Sequence, residues 1–315
     1  MKAKTLTYII DASHVRGKGE RADKVLSRLE GLPSRSQVKL WFQDGRVRRG
    51  LETIDGSSVL HEGDKIKVSV PAPRRLNLEP KKMDLQILHE DEDLIVLYKP
   101  KGLSMHPGAG QKDTITLAHG LMAHSKNLST TGGEFRPGIV HRLDKNTEGV
   151  VVIAKNNEVH ENLSRQFSNR EIDRAYWALC WGKFPTQMII DAPIGRNPRD
   201  RKKMAVVSAG RESKTEARLI KYFEEGYSWV ECKLHTGRTH QIRVHLTHKK
   251  YGLLGDHEYA KRRKLDWSEK KEAAYENLNG QALVAFRLGF THPRTGEKLK
   301  FEVEKPAWLK IFIET

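Results

Sequence analysis

The centre of the chain carries the sequence Gly138-Ile-Val-His141-Arg142-Leu143-Asp144-Lys-Asn-Thr147-Glu148-Gly149, which continues directly into Val150-Val-Val-Ile-Ala-Lys155. This pattern predicts a polar turn followed by a buried strand. Asp144 lies between Arg142 and Lys145, and neighbouring positive charge favours the carboxylate form of an acid. Such a carboxylate can serve as a nucleophile, as a general base or as a structural anchor, and aspartate is also a common turn-former. The residues alone leave these roles open.

The composition excludes several classes of protein. A length of 315 residues suggests roughly two domains. Apolar runs fall far short of the ~20 residues that span a bilayer, and residues 1–15 lack the apolar core of a secretion signal. The two cysteines, Cys180 and Cys232, could form at most one disulfide, which cannot stabilise a chain of this size, and no CxxC pair is present to bind zinc. We therefore expect a cytoplasmic protein that does not associate with membranes.

The charge balance indicates a polyanionic partner. The chain has 56 Lys and Arg against 40 Asp and Glu, a formal net charge of +16. A basic excess of this kind is typical of proteins that bind phosphate backbones, although a merely basic surface is the alternative interpretation. No helix-turn-helix or zinc motif supports DNA as the partner.

Residues 1–70 predict a compact α+β module. Apolar residues at 22, 25, 26 and 29 follow a helical period, and Gly31 ends that helix. A second helix is expected after an N-cap at Ser34, with apolar residues at 38, 41 and 42 and Gly45 as its C-terminal cap. Short β-like pieces follow around residues 47, 59 and 66–70. Prolines at 71, 73 and 80 then predict an extended linker over residues 71–82.

Residues 83–315 predict a larger domain of mixed α and β structure. Strand candidates are residues 94–98, 150–153, 176–179, 229–233, 282–288 and 299–303. Between the second and third of these, Val159, Leu163 and Phe167 are spaced by four, which predicts a helix capped by Asn156 or Asn157. A further helix over residues 240–250 carries Arg243 next to its apolar face, where a solvated arginine is the simplest interpretation.

Several segments of this larger domain resemble motifs of the RluA-type pseudouridine synthases, which isomerise uridine to pseudouridine within RNA. His141-Arg142-Leu143-Asp144 resembles the family's signature, and residues 87–108 resemble its opening strand and Lys-Pro-x-Gly loop. The other matching segments follow in the family's order: Arg174-Ala-Tyr176, residues 234–246, Gly255-Asp256 with Tyr259, residues 281–285 and residues 291–296. The resemblance spans about residues 84–305. Residues 1–70 resemble, less closely, the S-four-type RNA-binding domain first described in a small-subunit ribosomal protein.

The resemblance implies an α+β fold and a role for individual residues. The larger domain should hold a mixed, largely antiparallel β-sheet with flanking helices and a cleft centred on Asp144. Asp144 is then the carboxylate that attacks the target nucleoside, Tyr176 packs against the target base and takes part in proton handling, and Arg243 orients Asp144 through a bidentate pair. Arg142 enters the RNA where the target base leaves the stack.

Further contacts are implied for two groups of residues. Substrate contacts are expected of His141, Leu143, Thr147, Arg238 and Gln241. RNA contacts by the N-terminal module are expected of Arg35, Ser36, Lys39 and Arg46. A carboxylate nucleophile is enough for this isomerisation, so we expect neither a cofactor nor a metal. Four histidines at 235, 240, 245 and 248 invite a metal site, but no HExxH motif or cysteine pair accompanies them.

The chain departs from the family at a few positions. Glu148 stands where the family has serine, and an inward-facing Glu148 would raise the pKa of Asp144 and weaken attraction of RNA, whereas an outward-facing one would be harmless. Gly280 and Val284 stand where the family has arginine and histidine, which removes a late packing or RNA contact.

A weaker resemblance indicates which RNA is the substrate. Residues 195–206 resemble a branch of the family that modifies large-subunit ribosomal RNA and carries the same N-terminal module. We therefore expect a monomeric enzyme that acts on that RNA. The same chemistry on tRNA is one alternative, and a catalytically silent RNA-binding or ribosome-assembly protein that kept the fold is another.

Overall fold

The computed structural model describes residues 4–15, 17–29, 32, 35–70, 78–108, 114–133 and 136–314. The chain forms two compact units, Met1–Arg74 and Arg75–Thr315. Residues 71–77 of the predicted linker lie outside the described residues, as do Gly31 and Ser34 at the predicted helix boundaries. No helix in the described ranges is long and apolar enough to cross a lipid bilayer.

The N-terminal unit packs two helices and short strands around its own apolar core. Its elements are β1 (Lys4–Ile9), β2 (Glu20–Arg21), α1 (Ala22–Leu26), α2 (Arg35–Gln43), β3 (Val47–Arg49), β4 (Glu52–Thr53), β5 (Val59–Leu60) and β6 (Lys65–Val70). The main sheet has the order β1-β6-β3-β4, and β2 pairs with β5. In β6, Ile66 and Val68 are buried while Lys65 and Lys67 are exposed, because successive side chains of a strand point to opposite faces.

The first helix is shorter than the apolar spacing predicts. It ends at Leu26, and Leu29 is nevertheless buried in the core. The backbone N–H groups of Arg28 and Leu29 donate to carbonyls three residues back, at 3.0 and 3.3 Å, so a tighter turn replaces the last helical turn.

The C-terminal unit is built on a nine-stranded sheet with the order β11-β14-β15-β10-β16-β9-β8-β7, and β17 pairs with β16. Two further strands, β12 and β13, pair with each other in a separate sheet. The strands of the unit are β7 (Gln86–Glu90), β8 (Leu94–Lys99), β9 (Glu148–Ala154), β10 (Asp173–Trp181), β11 (Gln187–Asp191), β12 (Ile194–Arg196), β13 (Met204–Val206), β14 (Lys214–Phe223), β15 (Tyr227–Leu234), β16 (Leu283–Thr291) and β17 (Lys298–Glu302). The neighbours in this sheet pair antiparallel except β9 and β16, which pair parallel. The prediction of an α+β fold with a mixed, largely antiparallel sheet is confirmed.

Helices flank this sheet. They are α3 (Leu117–His124), α4 (Asn157–Asn169), α5 (Gln241–His248), α6 (Glu269–Glu276) and α7 (Ala307–Ile313). The predicted cap of α4 is confirmed as Asn156, whose side chain accepts a hydrogen bond from the backbone N–H of Val159 at 2.9 Å. The helix predicted over 240–250 is α5, which is shorter by one residue at its start and two at its end.

The last two residues of the central motif, residues 138–149, pair with β16 in a short parallel contact. It joins only Val284 to Glu148 and Ala285 to Gly149. Gly149 has φ +130, a conformation that residues with a side chain rarely adopt, and a Cβ there would lie 2.2 Å from the carbonyl oxygen of Ala285. The two strands can therefore approach each other only because residue 149 is glycine.

We predict that Gly149→Ala destabilises the C-terminal unit by about 3 kcal/mol or more, since it combines backbone strain with a backbone clash. Gly296→Ala is the matched control, because Gly296 also has positive φ but nothing lies within 4 Å of its added Cβ. The control should cost about 1–2 kcal/mol. Urea unfolding monitored by tryptophan fluorescence measures both, and equal losses would contradict the close approach of β9 and β16.

Candidate active site

A cavity of about 420 Å³ lies where three parts of the C-terminal unit meet. Its walls come from the segment around residues 139–144, the end of α4 with residues 167–170, and the segment 234–243 that leads into α5. Tyr176 and Arg174 of β10 also line it. A space of this size accommodates one nucleotide-sized ligand.

Asp144 contributes a half-buried carboxylate to this cavity. Its Oδ2 lies 3.3 Å from Nη1 of Arg243, and its Oδ1 lies 3.8 Å from Nε2 of His240. The carboxylate is therefore held from one side by a fixed cation, while its cavity-facing side remains available to a substrate.

Arg243 has a different main partner from the one expected. Its Nε and Nη2 donate to the two carboxylate oxygens of Asp256 at 2.7 and 2.8 Å, and Nη2 also donates to Oε2 of Glu258 at 2.7 Å. The bidentate pair is thus with Asp256, and Asp144 receives a single bond. The physical reason is that Asp256 flanks the guanidinium on its Nε side, so that only Nη1 is left to face Asp144.

The arginine is also buried, with 5% of its surface exposed, so the interpretation as a solvated arginine is wrong. Its guanidinium lies 4.8 Å from the ring centre of Tyr259. Burial opposes the charged form, but the hydrogen bonds and charge of Asp256 outweigh it and raise the pKa of Arg243. The cation that orients Asp144 is therefore permanent.

Tyr176 lines the cavity from β10 and is buried. Burial raises the pKa of its phenol; the charge of Arg174 lowers it and that of Asp144 raises it, both to a smaller extent. The phenol is neutral at physiological pH. Tyr176 lies two residues after Arg174 on β10, and both side chains line the same cavity as Asp144.

His141 anchors the central motif. Its Nε2 accepts a hydrogen bond from the backbone N–H of Val152 at 3.1 Å, at a point where the pairing of β9 with β16 has already ended. Its ring stacks on Phe167 at 4.7 Å between centroids. Burial lowers the pKa of His141 to about 3, so the ring is neutral and carries its proton on Nδ1. The side chain replaces a missing strand partner and fixes the residues before Asp144.

The other expected substrate contacts divide into two groups. Arg142 is exposed at the cavity, and Arg238 also lines it, with its Nε donating to the carbonyl of Glu212 at 3.0 Å. Leu143 is buried in the core, and Thr147 Oγ1 accepts a hydrogen bond from Gln281 at 2.8 Å. These contacts of Leu143 and Thr147 hold the motif in place, and both residues also line the cavity.

Gln241 has no amide group left for a substrate. Its oxygen accepts from the hydroxyl of Thr236 and the backbone N–H of Arg238, and its nitrogen donates to the carbonyl of Lys214 and the hydroxyl of Thr215. These four bonds use its full capacity. Gln241 lines the cavity, but its hydrogen bonds position the loop that carries Arg238, and a substrate contact by Gln241 stays a prediction.

Glu148 faces away from Asp144. Its two carboxylate oxygens accept hydrogen bonds from the hydroxyl of Tyr98 at 2.6 Å and from Nε1 of Trp308 at 2.5 Å, and it does not line the cavity. Its buried carboxylate links β9 to β8 and α7, so the harmless orientation is the one observed. Gly280 is packed so that a Cβ would lie 2.5 Å from Asn146, and Val284 is buried in the core.

The remaining predicted residues lie in the N-terminal unit. Lys39 is exposed on α2, and Nε of Arg46 lies 3.2 Å from a carboxylate oxygen of Asp44. The side chains of Arg35 and Ser36 lie outside what the structure describes.

Sequence reasoning assigned no role to His240, Asp256, Glu258, Tyr259 or Arg174. His240 Nδ1 lies 2.8 Å from the hydroxyl of Tyr259, whose oxygen accepts the backbone N–H of Met204. The positive φ of His240, +56, was not visible in the sequence. Asp256 and Tyr259 belong to a quoted motif, but only the fold brings them against Arg243.

One group in the described residues has the composition of a metal site, Asp91 with Asp93 and His292. Its members are already hydrogen-bonded. Asp93 pairs with Arg294 at 2.5 Å, and Nδ1 of His292 accepts the backbone N–H groups of Arg294 and Thr295. The group ties the β7–β8 turn to the β16–β17 turn.

Comparison with known proteins gives a consistent result. The family model described as RNA pseudouridylate synthase matches residues 93–248. An uncharacterized RNA pseudouridine synthase of Bacillus subtilis is 42% identical over 94% of this chain and 94% of its own length. The ribosomal large subunit pseudouridine synthase D of Zymomonas mobilis is 38% identical over 94% and 93%, and that of Neisseria meningitidis serogroup A is 40% identical over 91% and 76%.

A solved structure agrees in fold. Human RNA pseudouridylate synthase domain containing 1 superposes with a TM-score of 0.56 at 23% identity, covering 73% of this chain and 87% of that one. The motif order, the mixed sheet and the full-length relatives lead to one conclusion: the chain belongs to the RluA-type family of RNA pseudouridine synthases.

Proposed function

We propose that this protein isomerises uridine to pseudouridine in large-subunit ribosomal RNA, with Asp144 as the attacking carboxylate. The observation that supports this most is the placement of Asp144, whose carboxylate faces a nucleotide-sized cavity while Nη1 of Arg243 holds it at 3.3 Å. A permanent buried cation fixes the orientation of this carboxylate, which a carboxylate nucleophile requires.

The reaction is an internal rearrangement. The bond between C1′ and N1 breaks, a bond between C1′ and C5 forms, the C5 proton leaves and N1 gains a proton. A uridine within folded RNA must first leave the stack, at a cost of a few kcal/mol. The exposed guanidinium of Arg142 is suited to fill the vacated position, and the ring of Tyr176 offers a surface for the base inside the cavity.

Ribosomal RNA is the substrate that we favour. The relatives from Zymomonas mobilis and Neisseria meningitidis are named as ribosomal large subunit pseudouridine synthases. The chain's formal charge of +16 is suited to a large polyanion. A cytoplasmic location and action as a monomer remain predictions.

The N-terminal unit is proposed as a second RNA contact. Its helix α2 and the following turn carry the basic residues Lys39 and Arg46 outside its apolar core. We infer that it adds phosphate contacts, so that affinity for a long RNA exceeds what the catalytic unit provides alone.

We predict that Asp144→Asn abolishes turnover while RNA affinity stays within about threefold of the wild type, because the change removes the nucleophile and no phosphate contact. The measurement is release of tritium from RNA labelled at C5 of uridine, using ribosomal RNA, total tRNA and an unstructured control. Release from ribosomal RNA by the wild type alone is the expected result.

Other outcomes separate the alternatives. Release from tRNA only would replace the substrate and keep the chemistry. Binding without release by the wild type would favour a catalytically silent RNA-binding protein, and full turnover by Asp144→Asn would remove Asp144 as the nucleophile.

We also predict that Lys39→Gln combined with Arg46→Gln weakens binding of ribosomal RNA and lowers the slope of log affinity against log salt by roughly 0.7–0.9 for each phosphate that the protein no longer neutralises. Filter binding between 50 and 300 mM NaCl measures this slope. The single-turnover rate at saturating enzyme should not change, and an unaltered slope would show that these two residues make no phosphate contact.

A further inference from the structure

Arg174 is a buried cation without a partner among the described residues. Only 8% of its surface is exposed, and its guanidinium makes no hydrogen bond or ion pair there. Its Nε is sealed from solvent and unsatisfied. Buried arginines are ordinarily paired, because an isolated buried charge is costly.

Among the described residues, the surroundings of Arg174 provide apolar contacts and no negative charge. Its guanidinium lies 5.2 Å from the ring centre of Phe167, and that ring is stacked in turn on neutral His141. On another side lies Gly237, where a Cβ would come 3.0 Å from Nη1 of Arg174. The absence of a side chain at 237 leaves room at the guanidinium, on the side where both residues line the cavity.

The described residues that line the cavity are strongly basic. Asp144 is the one carboxylate among them, and it is already held by Arg243. Arg174 shares the lining with four further arginines besides Arg243: Arg136, Arg142, Arg170 and Arg238. Of these four, Arg170 pairs with Glu212, and Arg238 donates to the carbonyl of Glu212. Burial lowers the pKa of Arg174, but a guanidinium remains charged at any physiological pH. The described residues therefore supply no anion that compensates the positive charge of Arg174.

We propose that Arg174 forms a phosphate subsite, which receives a phosphate group flanking the target uridine through bidentate N–H···O bonds. This rests on the proposed function, because RNA is the source of the phosphate. The position next to the target follows from β10, on which Arg174 and Tyr176 lie two residues apart and line the same cavity as Asp144. A base beside Tyr176 and a phosphate at Arg174 then belong to the same or to adjacent nucleotides.

The planar fork of an arginine matches two phosphate oxygens, and a charge-assisted pair in a water-poor site is strong. A neutral base carbonyl would satisfy the hydrogen-bond donors but would leave the charge uncompensated. The geometry therefore favours phosphate over a uracil oxygen as the occupant.

The test compares Arg174→Met with the wild type in two measurements. In the free protein, the methionine variant should be at least as stable to heat as the wild type, because an unpaired buried charge has been removed. With a transcript of large-subunit ribosomal RNA, the same variant should bind about tenfold more weakly, and its log–log salt slope should fall by roughly 0.7–0.9.

Two further variants sharpen the result. Arg218→Gln is the control for loss of an exposed charge, since Arg218 of β14 pairs with Glu231 of β15 and does not line the cavity. The affinity of this variant for RNA should fall less than twofold. Arg174→Lys keeps the positive charge but loses the planar guanidinium that can bind two phosphate oxygens. This variant should therefore retain the wild-type salt slope and bind the RNA three- to fivefold more weakly. It also serves as the test if the methionine variant does not fold.

An Arg174→Met protein with wild-type affinity and salt slope would overturn the proposal. So would a variant that is less stable than the wild type yet keeps the slope, because that is the behaviour of a structural arginine. These readouts are independent of turnover. If the wild type released no tritium but its RNA affinity still depended on Arg174, the proposed function would fail and the phosphate subsite would stand.

Discussion

The active site depends on one buried guanidinium. Arg243 has five N–H donors in a rigid plane, and the fold directs them to Asp256, Glu258 and Asp144. Two of its bonds go to Asp256, which fixes the plane, and the remaining edge is presented to Asp144 at 3.3 Å. The position of the Asp144 carboxylate is thus set by an arginine that lies 99 positions further along the chain.

This arrangement explains why distant segments meet at the cavity. The motif around Asp144 is anchored by His141 against β9, and β9 can approach β16 only because residue 149 is glycine. The loop before α5 is fixed by the four hydrogen bonds of Gln241. Buried polar contacts fix both segments, and they bring the Asp144 carboxylate and the Arg243 guanidinium together in a defined geometry.

The sequence predicted well what depends on local pattern. The apolar runs located β8, β9, β10, β15, β16 and β17 within a few residues but missed the four strands β11 to β14. The spacing of Val159, Leu163 and Phe167 with Asn156 predicted α4 and its cap. The length of α1 was overestimated, since Leu29 is buried by a tighter turn that has the same apolar spacing as a helix. Local periodicity cannot separate these two conformations.

The sequence did not predict which side chains contact each other when they lie far apart along the chain. The resemblance placed Arg243 beside Asp144. The bidentate bonds of its guanidinium go to Asp256 instead, because the segment after Gly255 packs against α5. The orientation of Glu148 depends on Trp308 of α7, and the lack of an acidic partner for Arg174 in the described part of the chain depends on how its neighbours pack. Each is a property of the packed structure, visible only when the partners are known.

The most direct test of the account is the single-turnover rate of Asp256→Asn on ribosomal RNA, measured as tritium release at saturating enzyme. Asp256 is buried and bonded to Arg243, so its amide analogue weakens the bidentate anchor and leaves Asp144 itself unchanged. The account predicts a rate at least 100-fold below the wild type, with RNA affinity unchanged, because a small misplacement of a reacting group is enough for such a loss. A folded Asp256→Asn protein that turned over within about twofold of the wild type would contradict the claim that the Arg243–Asp256 pair positions the nucleophile.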